Sequence, residues 1–119
     1  MARKFETLTI SEEGRDKGKV FILTEMPATT AKKWLMKLYA KAGAGITDAQ
    51  TLALLDEPEL EAWRDCVKYQ HNPKHVAQTI FWDRPECQIE EIQTVGFLQG
   101  KVLEMHTSFF PPVSPSTTG

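Results

Sequence analysis

The residues best suited to chemistry in this chain are cysteines and histidines, the side chains that most often bind zinc in structural sites. They are Cys66, His71, His75, Cys87 and His106. The first four follow the spacing C-x4-H-x3-H-x11-C, which matches none of the common structural zinc patterns, and Pro73 interrupts the histidine pair. We therefore expect no metal site, with the cysteines present as buried thiols and the histidines in loops.

Three carboxylates are the candidates for acid–base catalysis: Asp83, Glu90 and Glu91. Glu90 and Glu91 are adjacent near the start of a predicted helix, where their side chains point apart and interact favourably with the helix dipole. The chain contains no GxGxxG, GxxxxGK[ST], GxSxG or HExxH motif. The sequence therefore predicts no catalytic residue, no bound cofactor and no enzymatic activity.

A row of lysines on one predicted helix is the candidate for contact with an acidic partner. Lys33, Lys37 and Lys41 recur every four residues, and Lys32 lies beside them. A nucleic-acid interface usually adds interleaved aromatic residues and a basic balance, whereas this chain has a net charge of −2. A solvated helix face is the simpler interpretation, and binding of an acidic or polar protein is the alternative.

The composition is that of a soluble globular domain. The chain has 119 residues, of which 41% are hydrophobic and 25% charged. Two cysteines suit a reducing cytoplasm better than a disulfide framework. No apolar run follows the basic N-terminus as in a signal peptide, and none approaches the ~18 residues of a membrane span. We expect an intracellular protein with no membrane contact.

An N-terminal β-hairpin is predicted. Residues Lys4–Ile10 alternate apolar and polar, Ser11–Gly18 is a polar turn with two glycines, and Lys19–Glu25 is a short apolar run typical of a strand buried on both faces. A hairpin alone is only marginally stable in water. It must therefore pack on other elements or pair with another chain, and we expect the strand around Val20 to Leu23 to lie at an edge.

Four helices are predicted after the hairpin, over residues 27–42, about 47–55, about 56–72 and about 88–110. The first has an apolar face formed by Ala31, Trp34, Leu35, Leu38, Tyr39 and Ala42. In the third, Asp56 and Glu59 fit a capping box, and Leu60, Trp63 and Val67 face the core. The segment 75–85 fits a short strand or a turn of helix, and the role of the middle region 46–87 stays open.

The last predicted helix has more apolar surface than one neighbouring helix usually covers. One stripe comprises Val95, Leu98, Val102, Met105 and Phe109, and a second comprises Ile89, Ile92, Gly96, Leu103 and Phe110. Gly96 and Gly100 each cost ~1 kcal/mol of helix propensity and indicate close approach of another segment. This surplus apolar surface favours a protein that works by association.

Two segments of the chain resemble a known family. "EEGRDKGKVFILTEMPATTAKKW" (Glu12–Trp34) is similar to the N-terminal segment of tail assembly chaperones of long-tailed, siphovirus-like bacteriophages and prophages, in which "GRD-x-GK", "TE-x-PA" and "EKW" follow one another. "QIEEIQTVGFLQGKVLEMHTSFF" (Gln88–Phe110) resembles their last helix, with its "IEE(V/I)" start and "H-x-x-FF" end. Lys32 replaces the usual glutamate before "KW", and Cys87–Gln88 replace an acidic helix start.

The resemblance implies a non-enzymatic chaperone. Such proteins coat the long hydrophobic tape measure protein in the host cytoplasm, keep it soluble, assist tail-tube assembly and are absent from the mature virion. Many also exist in a longer, frameshifted form whose extension recruits the tail-tube protein. This chain resembles the shorter form. Self-association along the client and no contact with nucleic acid or membranes complete the expectation.

The overall expectation is an α+β fold, mostly α, with an N-terminal β-hairpin packed on about four helices. Residues 1–110 form one domain and residues 111–119 a disordered, Pro/Ser/Thr-rich tail. The expected partner-binding residues are Val20, Ile22, Trp34, Leu98, Val102, Met105, Phe109 and Phe110. Two alternative functions remain open: a structural head–tail joining or tail-completion protein of the virion, and a nucleic-acid-associated regulator that uses the lysines.

Overall fold

The structure, a computed structural model, describes residues 4–42, 48–72 and 74–107. Its elements in chain order are β1 (Phe5–Thr9), β2 (Val20–Thr24), α1 (Ala28–Ala42), α2 (Asp48–Leu54), a 3₁₀ helix (Pro58–Cys66), β3 (Val67–Gln70), β4 (Gln78–Thr79) and α3 (Ile92–Thr107). The predicted α+β class with a hairpin packed on about four helices is confirmed. The predicted N-cap Thr47 and the tail 111–119 lie outside the described residues.

The N-terminal hairpin forms as predicted. β1 and β2 are antiparallel, from the pair Phe5 and Thr24 to the pair Thr9 and Val20. The turn closes where the Gly18 N–H donates to the Ile10 carbonyl at 2.8 Å. Gly18 has φ +87°, in the left-handed region that glycine adopts without the steric cost of a Cβ atom.

β2 lies inside the sheet, so the prediction that it forms an edge is wrong. The strand order is β1-β2-β3-β4 with all neighbours antiparallel. β3 occupies the second side of β2, from the pair Val20 and Gln70 to the pair Leu23 and Val67. Both hydrogen-bonding sides of β2 are therefore in use, and another subunit cannot extend the sheet from this strand.

β2 is buried on one face only, in contrast to the predicted burial on both. Phe21 and Leu23 are fully buried, whereas Val20 and Ile22 point to the opposite face and are half-buried. The described helices contribute to the core cluster that contains Phe21 and Leu23, and that cluster does not include Val20 or Ile22. This is the usual pattern of an antiparallel sheet with helices on one side.

α1 follows β2 directly, as predicted. Pro27 precedes it and its carbonyl accepts from the Ala31 N–H at 2.8 Å. The buried side chains are Trp34, Leu35 and Leu38. Tyr39 was expected on the same face, but 51% of it is exposed because it lies at the border of that stripe on the helix.

The third predicted helix is wrong beyond Cys66. The chain forms a 3₁₀ helix and then β3, because the backbone of Val67–Gln70 pairs with β2. Val67 is buried as expected, but as part of the sheet. The predicted capping box is absent: Glu57 is the N-cap residue and makes no side-chain cap. Asp56 instead accepts a hydrogen bond from Gln99 Nε2 at 2.8 Å.

The segment 75–85 contains a short strand, one of the two structures its sequence allowed. β4 pairs with β3 through Lys68 and Thr79. α3 then begins at Ile92 and not at Gln88 as predicted. The backbone N–H groups just before it are bound by Asp16, which holds this stretch in a non-helical conformation. The predicted helix end at Phe110 lies outside the described residues.

The buried side chains form one cluster between the inner face of the sheet and the helices. Two tryptophans lie at its centre, and each satisfies its indole N–H with a carbonyl. Trp34 Nε1 donates to the Leu60 carbonyl at 2.6 Å, and Trp63 Nε1 donates to the Leu55 carbonyl at 3.1 Å. These bonds tie α1 to the 3₁₀ helix and the 3₁₀ helix to the end of α2.

Candidate partner-binding surface

A cluster of charged residues joins the hairpin turn to the segment before α3. We call it the Asp16 cluster, and its members are Arg15, Asp16, Lys19, Glu90 and Glu91. The Asp16 carboxylate accepts from the backbone N–H groups of Glu90 at 3.0 Å and Glu91 at 2.8 Å. Lys19 Nζ lies 2.9 Å from Asp16 Oδ1 and donates to the Gln88 carbonyl at 2.6 Å. Asp16 itself is only 1% exposed.

Opposing effects set the charge state of the Asp16 cluster. Burial raises the pKa of Asp16, but hydrogen bonds from Lys19, Thr94 and the backbone of Glu90 and Glu91 together hold that pKa below its usual value. At the surface, Arg15 Nε lies 2.6 Å from Glu91 Oε2 and lowers the pKa of that carboxyl through hydrogen bonding and charge. Asp16 is therefore an ionised acceptor that holds backbone N–H groups.

His106 makes a second connection, between the end of α3 and the link from β2 to α1. Its Nε2 accepts from the Met26 N–H at 2.9 Å, and its Nδ1 lies 2.8 Å from the Val102 carbonyl. A backbone N–H can only donate, so Nε2 is the acceptor and Nδ1 carries the hydrogen. The ring is 3% exposed and packs edge-on against Trp34, with the ring centres 5.6 Å apart.

These two connections involve the segments that carry the family resemblance. Asp16 belongs to "GRDKGK" and binds the backbone of "IEE" at residues 89–91. Met26 lies within "TEMPA" and donates to the histidine of "HTSFF". The motif residues in these contacts hold the fold together, and the Asp16 carboxylate and the His106 ring form hydrogen bonds with backbone groups.

The cysteines and histidines do not converge. Cys66 and His106 are buried, Cys87 is half-buried, and the rings of His71 and His75 lie 5.7 Å apart in an exposed turn. Within the residues that the structure describes, no group of three or more cysteine, histidine or acidic side chains is arranged to hold a metal ion.

Half of the expected partner-binding residues lie in the core. Trp34 and Met105 are 2% and 6% exposed, and Leu98 and Val102 are fully buried. They pack between the helices and the sheet, so a partner cannot touch them in this structure. The described part of the first apolar stripe of α3, from Val95 to Met105, therefore belongs to the core, because the sheet and the neighbouring helices cover it.

The other expected residues have different locations. Val20 and Ile22 lie half-buried on the outer face of the sheet. On the same face, Phe5 at the end of β1 is 67% exposed. Phe109 and Phe110 lie outside the described residues.

The second stripe of α3 is open at its glycines. A side-chain carbon placed on Gly96 or Gly100 would meet no atom of another described segment within 4 Å, so the close approach expected there is not made within the described part of the chain. Nearby, Ile92 is 91% exposed and Phe97 is 41% exposed. Leu103 is half-buried and contacts the core.

Sequence reasoning missed an exposed apolar site on α1. Met36 is 61% exposed and Tyr39 is 51% exposed, and exposed lysines lie beside them. The signal was available in the helical spacing, because Met36 lies roughly opposite Trp34 and Leu38 on a helix of about 3.6 residues per turn. Tyr39 was expected in the core, and its exposure became visible only in the fold.

None of the described helices is long and apolar enough to cross a membrane. Comparison with protein-family models, with curated proteins and with solved structures gives no match for this chain. The geometry of the described residues and the two resembling segments are therefore the basis for assigning a role.

Proposed function

We propose that this protein is a non-enzymatic tail assembly chaperone of a long-tailed bacteriophage or prophage. It binds the tape measure protein in the host cytoplasm, keeps it soluble and assists tail-tube assembly. A longer frameshifted form would recruit the tail-tube protein, and the chaperone would be absent from the mature virion.

The contact between the two resembling segments carries this proposal. Asp16 of the first segment binds the Glu90 and Glu91 N–H groups of the second, and Met26 of the first donates to His106 of the second. Segments that form one structural unit support a single resemblance better than two unrelated short matches would.

The surface properties also support a binding role. Large apolar side chains are exposed on three faces: Met36 and Tyr39 on α1, Ile92 and Phe97 on α3, and Phe5 on the sheet. Of these, Met36 and Tyr39 are neighbours on α1 at i, i+3, and an exposed apolar pair of this kind favours contact with another protein. The polar groups of Asp16 and His106 are engaged in hydrogen bonds within the fold, which favours binding over catalysis.

Co-expression with the tape measure protein tests the proposal. The client is the tape measure protein encoded in the same phage or prophage genome, produced in a bacterial host with and without the chaperone. We expect the soluble fraction of the client to rise severalfold with the chaperone and to stay low with an unrelated small protein expressed at the same level. An unchanged soluble fraction would overturn the proposal.

Mass spectrometry of purified virions distinguishes the chaperone from a head–tail joining protein. We expect the protein in lysates of infected or induced cells and not in finished particles. A fixed copy number per virion would support the structural alternative instead.

A further inference from the structure

The outward side of α1 combines apolar and basic side chains. We call this surface the α1 outer face, and it comprises Lys32, Lys33, Met36, Lys37 and Tyr39. Met36 lies at its centre, and Lys32, Lys33 and Tyr39 are three or four positions away, the spacing at which helix side chains are neighbours. All five residues are exposed.

Within the described ranges of the chain, no ion pair neutralises the lysines of the α1 outer face. The sequence of α1 contains no acidic residue. Lys41, at the side of the helix, pairs with Glu57 at 3.2 Å and Glu59 at 3.1 Å. Lys32, Lys33 and Lys37 make no salt bridge within the described residues, so three positive charges surround an apolar centre in a chain of net charge −2.

We propose that the α1 outer face binds an acidic amphipathic helix of the client protein. The pair Met36 and Tyr39, three positions apart, fits the apolar stripe of a partner helix, and carboxylates beside that stripe would pair with the lysines. Naming the client as the source of the helix rests on the proposed function. The complementarity itself depends only on the exposed side chains of α1.

A nucleic acid fits this face less well. Phosphates would pair with the lysines, but Met36 has no group that binds a phosphate. The net negative charge of the chain also opposes long-range attraction of a polyanion. An acidic amphipathic helix uses both the apolar and the basic side chains.

Binding of a synthetic helix tests the inference. The probe is a fluorescent peptide of three heptads with leucine at the a and d positions and glutamate at most others. The matched peptide has lysine in place of glutamate. We expect the acidic peptide to bind at least about tenfold more tightly than the basic one by fluorescence anisotropy, and to weaken as salt increases.

Charge reversal localises the contact. The triple variant Lys32→Glu, Lys33→Glu and Lys37→Glu should weaken binding of the acidic peptide at least about tenfold. A control with Lys17→Glu, Lys74→Glu and Arg84→Glu changes the net charge equally at exposed positions elsewhere and should bind as the native chain does.

Met36→Ser alone should also weaken binding. Circular dichroism melts verify folding, and should the triple variant unfold, Met36→Ser and Lys33→Gln decide the outcome.

Two results would overturn the inference. One is equal binding of the acidic peptide by the native chain and the triple variant. The other is displacement of the peptide by single-stranded DNA at low concentration, which would identify a nucleic-acid surface. Co-expression separates the two proposals: a triple variant that still solubilises the tape measure protein contradicts the α1 outer face alone, whereas a native chain that does not solubilise it contradicts the proposed function.

Discussion

Asp16 connects parts of the chain that are 74 and 75 positions apart, through its bonds to the backbone of Glu90 and Glu91. We expect Asp16→Ala to lower the free energy of unfolding by about 3 kcal/mol. The substitution leaves two backbone N–H groups without their buried acceptor and removes one of the acceptors of the Lys19 ammonium, which keeps the Gln88 carbonyl and Glu90. Urea unfolding followed by tryptophan fluorescence measures the change.

Asp65→Ala is the matched control for Asp16, because Asp65 is exposed on the 3₁₀ helix. It should change the free energy of unfolding by less than about 0.5 kcal/mol. Equal stability of the two variants would show that Asp16 does not hold the segment before α3.

The departures from the family pattern differ in their structural effect. Lys32 lies on the exposed side of α1, so it changes the charge of a surface and leaves the core unchanged. Gln88 has a structural role instead: its side chain accepts from the Phe81 N–H and donates to the Thr79 carbonyl, each at 3.1 Å. One departure therefore changes the charge of an exposed surface, and the other concerns the connection from β4 to α3.

At the scale of elements, the positions of β1 and β2 in the sheet determine how strongly a proline destabilises each strand. Ile22→Pro should unfold the protein, because β2 is hydrogen-bonded on both sides. Thr7→Pro should keep the fold. The bonds at Lys4 and Ile10 direct alternate N–H groups of β1 towards β2, which leaves the Thr7 N–H on the open edge. Circular dichroism and thermal melting compare the two variants.

The same pair of variants addresses self-association. Within the described residues β1 pairs with β2 alone, so β1 is the longer of the two edge strands available to another copy. If copies associate through the sheet, Thr7→Pro should lower the mass measured by sedimentation, and Thr7→Ala should not. A folded Thr7→Pro variant of unchanged mass would exclude this edge as the contact.

Different sides of α3 differ in burial. Leu98 and Val102 are fully buried, while Ile92 on another face is almost fully exposed. A substitution in the first stripe therefore tests the stability of the fold, and a substitution at Ile92 tests binding. If a substitution of Leu98 lowers client solubility, the cause is loss of fold stability, because removing a buried side chain leaves a cavity in the core.

At the scale of the whole molecule, the Asp16 cluster predicts how stability depends on pH. The pKa values of Asp16 and Glu91 are lowered in the folded protein. Their contribution is therefore present above the unfolded pKa of about 4 and is lost as pH falls through the lower folded value. The raised pKa values of Arg15 and Lys19 affect stability only in strongly alkaline solution.

We accordingly expect the free energy of unfolding to fall below about pH 4, and to fall less steeply in Asp16→Asn, which lacks the titrating carboxyl. Urea midpoints measured from pH 7 to pH 2.5 test this expectation. Parallel curves for the native chain and the variant would contradict it.

The sequence predicted the elements whose signals are local. The two glycines of Ser11–Gly18 indicated the hairpin turn, and the spacing of Trp34, Leu35 and Leu38 indicated α1 and its buried face. The last helix was also expected, but its start was predicted too early, at Gln88. Asp16, a residue distant in sequence, binds the backbone N–H groups of Glu90 and Glu91, and the helix begins only at Ile92. Turn and helix preferences act over a few residues, so a sequence pattern contains them.

β3, the inner position of β2 and the division of α3 into core and surface required the tertiary structure. Val67–Gln70 is a strand because β2 supplies its hydrogen-bond partners, and β2 leaves the edge for the same reason. The exposure of Tyr39 likewise depends on which side of α1 its neighbours α2 and the 3₁₀ helix cover. By itself the sequence determined which residues are apolar and at what spacing they recur. Only the packing of distant segments decided which apolar surfaces are covered, because burial requires a second surface that the local pattern does not specify.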